Sequence, residues 1–234
     1  METDKIRDFL KAEVSGWSNV EKVLIPFILL VVIGFSINAG DTKVATFHAI
    51  FGILSTILAG KGKISCYILG TVGVLCYSWL SWKNALWGTL ILQIFYYLPM
   101  EFVGIFAWKN HLKEDTKEVK KRALSNKERW VIGVSSIIVA GVLGVVLNYF
   151  NDKFPFPDAF VTVLPVAAFY LTVKRCIEQW VVWSIVNFIN IAIWFVVFLN
   201  GGSTLATFLT WLIYFCFGIY FLYQWNKELK SEEG

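Results

Sequence analysis

The chain is a series of apolar runs, each close to the ~20 residues that cross ~30 Å of hydrocarbon at ~1.5 Å per residue. Between them lie short polar breaks whose charge falls almost entirely on one side. The runs are 23–39, 44–60, 64–81, 84–107, 130–150, 157–173, 177–199 and 203–225. Several are near ~17 residues and need a thin bilayer or snorkelling flanks. With the N-terminus inside, the inner breaks collect Lys5, Arg7, Lys11 and Lys22, then Lys61 and Lys63, then the eight basic residues from Lys109 to Arg129. Lys174, Arg175, Lys227 and Lys230 complete eighteen of the 21 Lys and Arg residues. The outer turns hold only Lys43, Lys83 and Lys153. This is the positive-inside pattern, and it predicts an all-α polytopic membrane protein with eight crossings and both termini cytoplasmic. A seven-span count would push a basic cluster outside.

Composition agrees: 57% of residues are hydrophobic and the mean hydropathy is +0.62, outside the soluble range. The net charge of +4 is cytoplasmic anchoring charge and points to the lipid bilayer, not to nucleic acid. Residues 1–22 mix both charge signs without an apolar core, so no cleavable signal is expected there. Ile6, Phe9, Leu10 and Val14 recur at helical spacing and predict a short interfacial helix over 5–14 on the cytoplasmic face. The loop 108–129, rich in Lys and Glu, reads as a solvated cytoplasmic link, and 226–234 as a cytoplasmic tail. Cys66, Cys76, Cys176 and Cys216 match no metal spacing and are expected as free thiols.

No catalytic residues, metal ligands or cofactor are expected. The two histidines, His48 and His111, are far apart in sequence, and neither HExxH nor GxSxG occurs. His48 reads as a hydrogen-bonded packing residue. No Walker A pattern is present, so ATP-driven transport would need a separate ATPase chain.

An internal similarity constrains the architecture. A constant offset of 117 pairs Gln93 with Thr210, Tyr97 with Tyr214 and Trp108 with Trp225. The spans then divide into an accessory helix (23–39), a three-helix repeat (44–107), a connector helix (130–150) and a second three-helix repeat (157–225). One connecting span leaves the repeats parallel, a transporter plan with the substrate held near the midplane.

Polar side chains inside the runs are candidates for function, because hydrocarbon penalises them unless they face a cavity or a partner. Gln93, Tyr97 and Glu101 share one helix face, and Pro99 between them removes a backbone donor and predicts a bend. Glu101 invites a coupling role, against the plainer reading that it snorkels to the cytoplasmic edge or pairs with a lysine. In the seventh run Trp180, Trp183, Asn187, Asn190 and Trp194 recur at steps of three and four. Two indoles a turn apart followed by an amide make a flat apolar slot ending in a donor–acceptor pair, suited to a planar, even cationic, heteroaromatic ring. Val181, Val182, Ile185 and Ile189 form the plain opposite face. Thr207, Thr210, Trp211 and Tyr214 of the eighth run can close the slot.

Trp180-x-x-Trp183-x-x-x-Asn187 resembles the WxxWxxxN signature of the Pnu-type vitamin transporter family. The aromatic-rich spans and the 3+1+3 core behind an extra N-terminal span resemble it too, over roughly residues 20–228. The resemblance implies a SWEET-like architecture, a homotrimer in the bacterial inner membrane, and uptake of nicotinamide riboside by facilitated diffusion. It also implies trapping by a cytoplasmic nicotinamide riboside kinase, and Trp180, Trp183 and Asn187 at the substrate site. Gln93, Tyr97, Asn190, Thr210, Trp211 and Tyr214 are added from the helix faces alone. Relatives for thiamine or riboflavin share the architecture and leave those vitamins as alternatives, as is a vitamin-binding subunit served by a separate ATPase.

Overall fold

A computed structural model describes Arg7 and residues 11–13, 15–40, 42–200 and 205–233. All regular structure in it is helical: α1 (Asn19–Ala39), α2 (Lys43–Gly60), α3 (Ser65–Lys83), α4 (Trp87–Leu92), a π-helical turn (Gln93–Tyr97), α5 (Leu98–Lys109), α6 (Asn126–Tyr149), α7 (Pro155–Val173), α8 (Glu178–Leu199) and α9 (Leu205–Glu233). Among the described residues seven rods are long and apolar enough to cross a membrane: α1, α2, the continuous stretch α4 to α5, and α6 to α9. α3 has the length, at 19 residues, but is not among the seven. Its Ser, Gly and Tyr residues dilute the hydropathy. It packs against α2 on one side and the α4–α5 rod on the other, so less of it needs to be lipophilic.

The chain divides into two compact units, Met1–Lys120 and Lys121–Gly234. In the first, α1 packs on α2, α2 on α3, and α3 on the α4–α5 rod. The second follows the same order, α6 on α7, α7 on α8 and α8 on α9. The leading helix of each opens with the same device. Ser18 and Glu21 form a reciprocal capping box on α1, and Ser125 and Glu128 form one on α6. Each box satisfies two backbone donors that would otherwise be orphaned and stabilises its helix by about 1 kcal/mol. It also starts both helices four residues ahead of the apolar runs.

Each unit is closed by a fully buried tryptophan. Trp108 meets Tyr67 edge to face at 5.0 Å and 88°, and Trp225 meets Trp180 at 5.8 Å and 79°. Edge-to-face geometry puts the positive ring edge on the negative ring face and adds ~0.5–1.5 kcal/mol to the area buried. The close approach in the first unit depends on Gly104, where a Cβ would overlap the Tyr67 ring.

The loop 108–129 is largely exposed and is tied to the helices at several points. Leu112 and Val119 pair in an antiparallel bridge, and Val119 is fully buried with its N–H donated to Gly62 O at 2.9 Å. Lys63, almost wholly buried, pairs with Glu118 at 3.2 Å. On the second unit Arg122 N donates to Arg175 O at 3.0 Å and Ile177 N to Arg122 O at 2.9 Å. Lys121 pairs with Glu228 and lies over the Trp225 ring. Glu228 of that pair lies in the residues expected as a tail, which are helical to Glu233. Lys227, Glu228 and Lys230 are good helix formers, and no Gly or Pro stops them. Ile6, Phe9, Leu10 and Val14 lie outside the described residues, whereas Arg7 and residues 11–13 are helical. Glu13 there is buried and accepts a hydrogen bond from Ser65. Burial pushes its carboxyl up, opposed by Ser65 and Lys63.

Gly104→Ala forces the buried Tyr67 ring to move and should cost ~1–3 kcal/mol, read as a lower unfolding temperature in detergent. Gly133→Ala in α6, where nothing lies within 4 Å of the new methyl, should be neutral or stabilising by up to ~1 kcal/mol. Equal shifts for the two would remove the Gly104–Tyr67 contact from the account.

Candidate functional site

Each unit carries part of the candidate set. In the second unit the set sits on α8 and α9, whose register follows from three contacts. Trp180 meets Phe221 at 5.1 Å, Phe188 meets Phe215 at 6.4 Å and Phe195 meets Phe208 at 5.8 Å. As α8 numbers rise α9 numbers fall, so the helices are antiparallel. Between the first two contacts, a Cβ on Gly218 would lie 2.5 Å from Ser184 Oγ, so the missing side chain allows the closest approach. This register sets Asn187 level with Phe215 and Cys216 and Asn190 level with Leu212 and Ile213, within about a turn of Tyr214 and Trp211. Trp211, Tyr214, Gly218, Phe221 and Trp225 recur at steps of three and four, one stripe of α9.

The burial pattern of α8 follows the face that the sequence predicts. Trp180, Asn187 and Asn190 are buried, and Trp183 and Trp194 are half-buried. Val181 and Ile185 are exposed on the opposite side, with Val182 and Ile189 intermediate. The side chains differ in how well their polar groups are satisfied. Asn190 Nδ2 donates to Val186 O at 3.0 Å within its own helix. Trp183 Nε1 reaches Thr172 Oγ1 at 3.5 Å, while that hydroxyl donates to Ala168 O at 3.0 Å. Trp180 Nε1 is buried with no hydrogen-bond partner. Asn187 is 5% exposed, and none of the hydrogen bonds among the described residues engages its carboxamide. Thr210, Trp211 and Tyr214 are half-buried, and Trp211 lies 6.1 Å from Tyr214.

In the first unit Gln93 opens the π-helical turn and is buried; Tyr97 closes it and rests edge-on against Tyr96 at 5.1 Å. The break that Pro99 predicts is present as this turn, with Leu98 N–H donating to Gln93 O in place of the α-helical bond. Proline has no N–H for the carbonyl of Phe95, and its ring crowds that carbonyl, so the ladder widens by one residue just ahead of it. Glu101 does not snorkel and pairs with no lysine among the described residues. It is 3% exposed, against the backbone of Gly70, where a Cβ would overlap the carboxylate. His48 is a packing residue: Nδ1 lies 3.1 Å from Gly73 O and the ring stacks on Tyr77 at 4.7 Å. The sequence did not single out Thr172, Ser184 or Gly218. A lone glycine among the aromatics of α9 is the only trace that the last of these left.

Among the described residues no cluster of His, Cys, Asp or Glu could hold a metal ion. The seven apolar rods, with polar side chains turned inward from them, define a multi-pass membrane protein. The chain matches the profile of the nicotinamide mononucleotide transporter family over residues 43–227. It belongs to that family, a family of transporters and not of enzymes. Among its relatives is the nicotinamide riboside transporter PnuC of Neisseria mucosa, 32% identical over 94% of this chain and 85% of the relative. PnuC of Haemophilus influenzae is 29% identical over 94% and 96%. The crystal structure of the vitamin B3 transporter PnuC superposes with a TM-score of 0.78 at 30% identity, covering 96% of this chain and 98% of that one.

An amide that makes no hydrogen bond within the protein contributes none to its stability. Asn187→Leu should therefore leave its unfolding temperature in detergent unchanged or raise it. A marked fall would make Asn187 a packing residue.

Proposed function

We propose that the protein takes up nicotinamide riboside by facilitated diffusion, with Trp180, Trp183 and Asn187 holding the substrate. The observation that carries this reading is Asn187: none of the hydrogen bonds among the described residues engages its carboxamide, whose polar atoms are not sealed from open space, and one turn beyond two indoles it is poised for a polar group that arrives from outside. The indole faces suit the cationic pyridinium ring, and the amide suits its carboxamide or a ribose hydroxyl. Gln93, Tyr97, Asn190, Thr210, Trp211 and Tyr214 are further candidates for contact with the substrate. The relatives' names support the nucleoside.

The family's name offers the mononucleotide as a second substrate. The two differ by a phosphate carrying close to −2 at neutral pH. No Lys or Arg belongs to the candidate set, so that charge would be desolvated without a counter-ion. The nucleoside is the better fit. The same argument keeps the phosphorylated product from leaving, so a cytoplasmic kinase would trap what enters.

The architecture goes with this reading: eight crossings in a bacterial inner membrane, both termini cytoplasmic, and three-helix repeats at 44–107 and 157–225. Each repeat is preceded by a helix opened by Ser-Asn-x-Glu. The matching capping boxes and the matching buried Trp108 and Trp225 support the repeat. The assembly expected from the family likeness is a homotrimer.

Titration of the purified protein should give a clear affinity for nicotinamide riboside and at least ~10-fold weaker binding of the mononucleotide, thiamine and riboflavin, an unpaired phosphate or lost amide contact costing ~1–3 kcal/mol. Asn187→Leu should lose ~10-fold or more for the riboside, while Ile189→Ala binds normally. Equal affinity for riboside and mononucleotide, or an Asn187→Leu protein that binds as before, would overturn the assignment.

A further inference from the structure

On the second unit an open groove of about 600 Å³ runs along α8 and α9 on the side away from the candidate site. Arg129, Glu178, Tyr223 and Asn226 line it where α6 and α8 begin, and Val181, Ile219 and Leu222 line it further along. From Asn226 to Ile219 is seven residues of helix, or about 10 Å. The polarity falls in the direction that leads from the membrane surface into hydrocarbon. We propose that this groove holds one anionic phospholipid, with its phosphate at Arg129 and an acyl chain along Val181, Ile219 and Leu222.

Charge accounting selects the headgroup. Glu178 is already engaged, by Leu124 N–H at 3.0 and 3.1 Å and by Arg129 Nε at 2.8 Å. Glu128 is held by Arg122 at 2.9 Å, and Glu228 by Lys121. The acids near the mouth are thus neutralised within the protein. Arg129 binds Glu178 through Nε and Nη2, and its side chain is 50% exposed. A guanidinium carries five donors, so its other nitrogen faces outward with donors to give. Lys127 and Lys227, exposed next to Arg129 and Asn226 along the chain, have no acidic partner among the described residues. The surplus is positive, the arrangement that draws anionic headgroups to basic pockets between membrane helices. Trp130, beside Arg129 and 74% exposed, suits the interfacial level that this places at the groove mouth.

The proposal does not depend on which substrate is carried, and its test leaves the substrate out. Native mass spectrometry of the full-length protein, titrated with phosphatidylglycerol or phosphatidylcholine, should show ~5–10-fold tighter retention of the anionic lipid. Arg129→Gln should bring the two lipids level, and Arg129→Lys should keep the preference, which separates charge from damage to the Glu178 contact. Val181→Trp, which fills the groove and leaves the ion pair alone, should reduce binding of both lipids. Equal retention of the two lipids by the unaltered protein would overturn the proposal, as would retention unaffected by both Arg129→Gln and Val181→Trp. So would efficient crosslinking of Tyr223→Cys between copies in lipid-free protein, since a second copy would then occupy the groove.

Discussion

Hydrocarbon offers no hydrogen bonds, and that constraint sets the value of every polar group in this chain. Helices meet the backbone's demand internally. A side-chain amide or indole N–H must find a partner within its own helix, on a neighbouring helix, or in a ligand. Asn190, Ser184 and Thr172 all take the first route by bonding a carbonyl four residues back. Asn187 does not, and neither does the indole of Trp180. Their burial is enforced by packing elsewhere. The Trp180–Trp225 contact and the glycine-dependent approach of Ser184 to α9 fix α8 against α9 one turn from Asn187. The rigid part of the unit thus holds Asn187 in place, and under the proposed function a ligand that bonds its amide finds it already positioned.

The two units reach similar ends with different side chains. Where the second sets Gly218 against Ser184, the first sets Glu101 against Gly70. The small residue has moved to the other helix of the pair, and the position facing it carries a carboxylate. Tyr67 takes the place against Trp108 that Trp180 takes against Trp225. The polar candidates also differ, since the first unit delivers Gln93 and Tyr97 from a π-helical turn and the second delivers its amides from a regular helix.

Much of this was readable in the sequence because membrane helices announce themselves through length, hydropathy and flanking charge. The face of α8 was legible for the same reason: polar residues at steps of three and four stand out against aliphatic ones. Helix starts were less so, since Ser18 and Ser125 act through a hydrogen bond to a glutamate three residues on and lie outside the apolar runs. The charge pattern of 108–129 does not reveal which of its residues form the Lys63–Glu118 and Lys121–Glu228 pairs that tie the loop to the helices, since the partners lie far away in sequence. Pro99 announced a break, but whether the helix would kink or widen depends on packing around Gln93. The burial of Glu101 beside Gly70 is a tertiary fact, set by a glycine some thirty residues away.

Uptake of labelled nicotinamide riboside into liposomes containing only this protein tests the central claim most directly. The account predicts that entry stops when inner and outer concentrations are equal, with or without a pH or sodium gradient, and that accumulation begins only when a kinase and ATP are enclosed. Concentrative uptake driven by an ion gradient without the kinase would contradict it, and its loss in Glu101→Gln would make that buried carboxylate the coupling group.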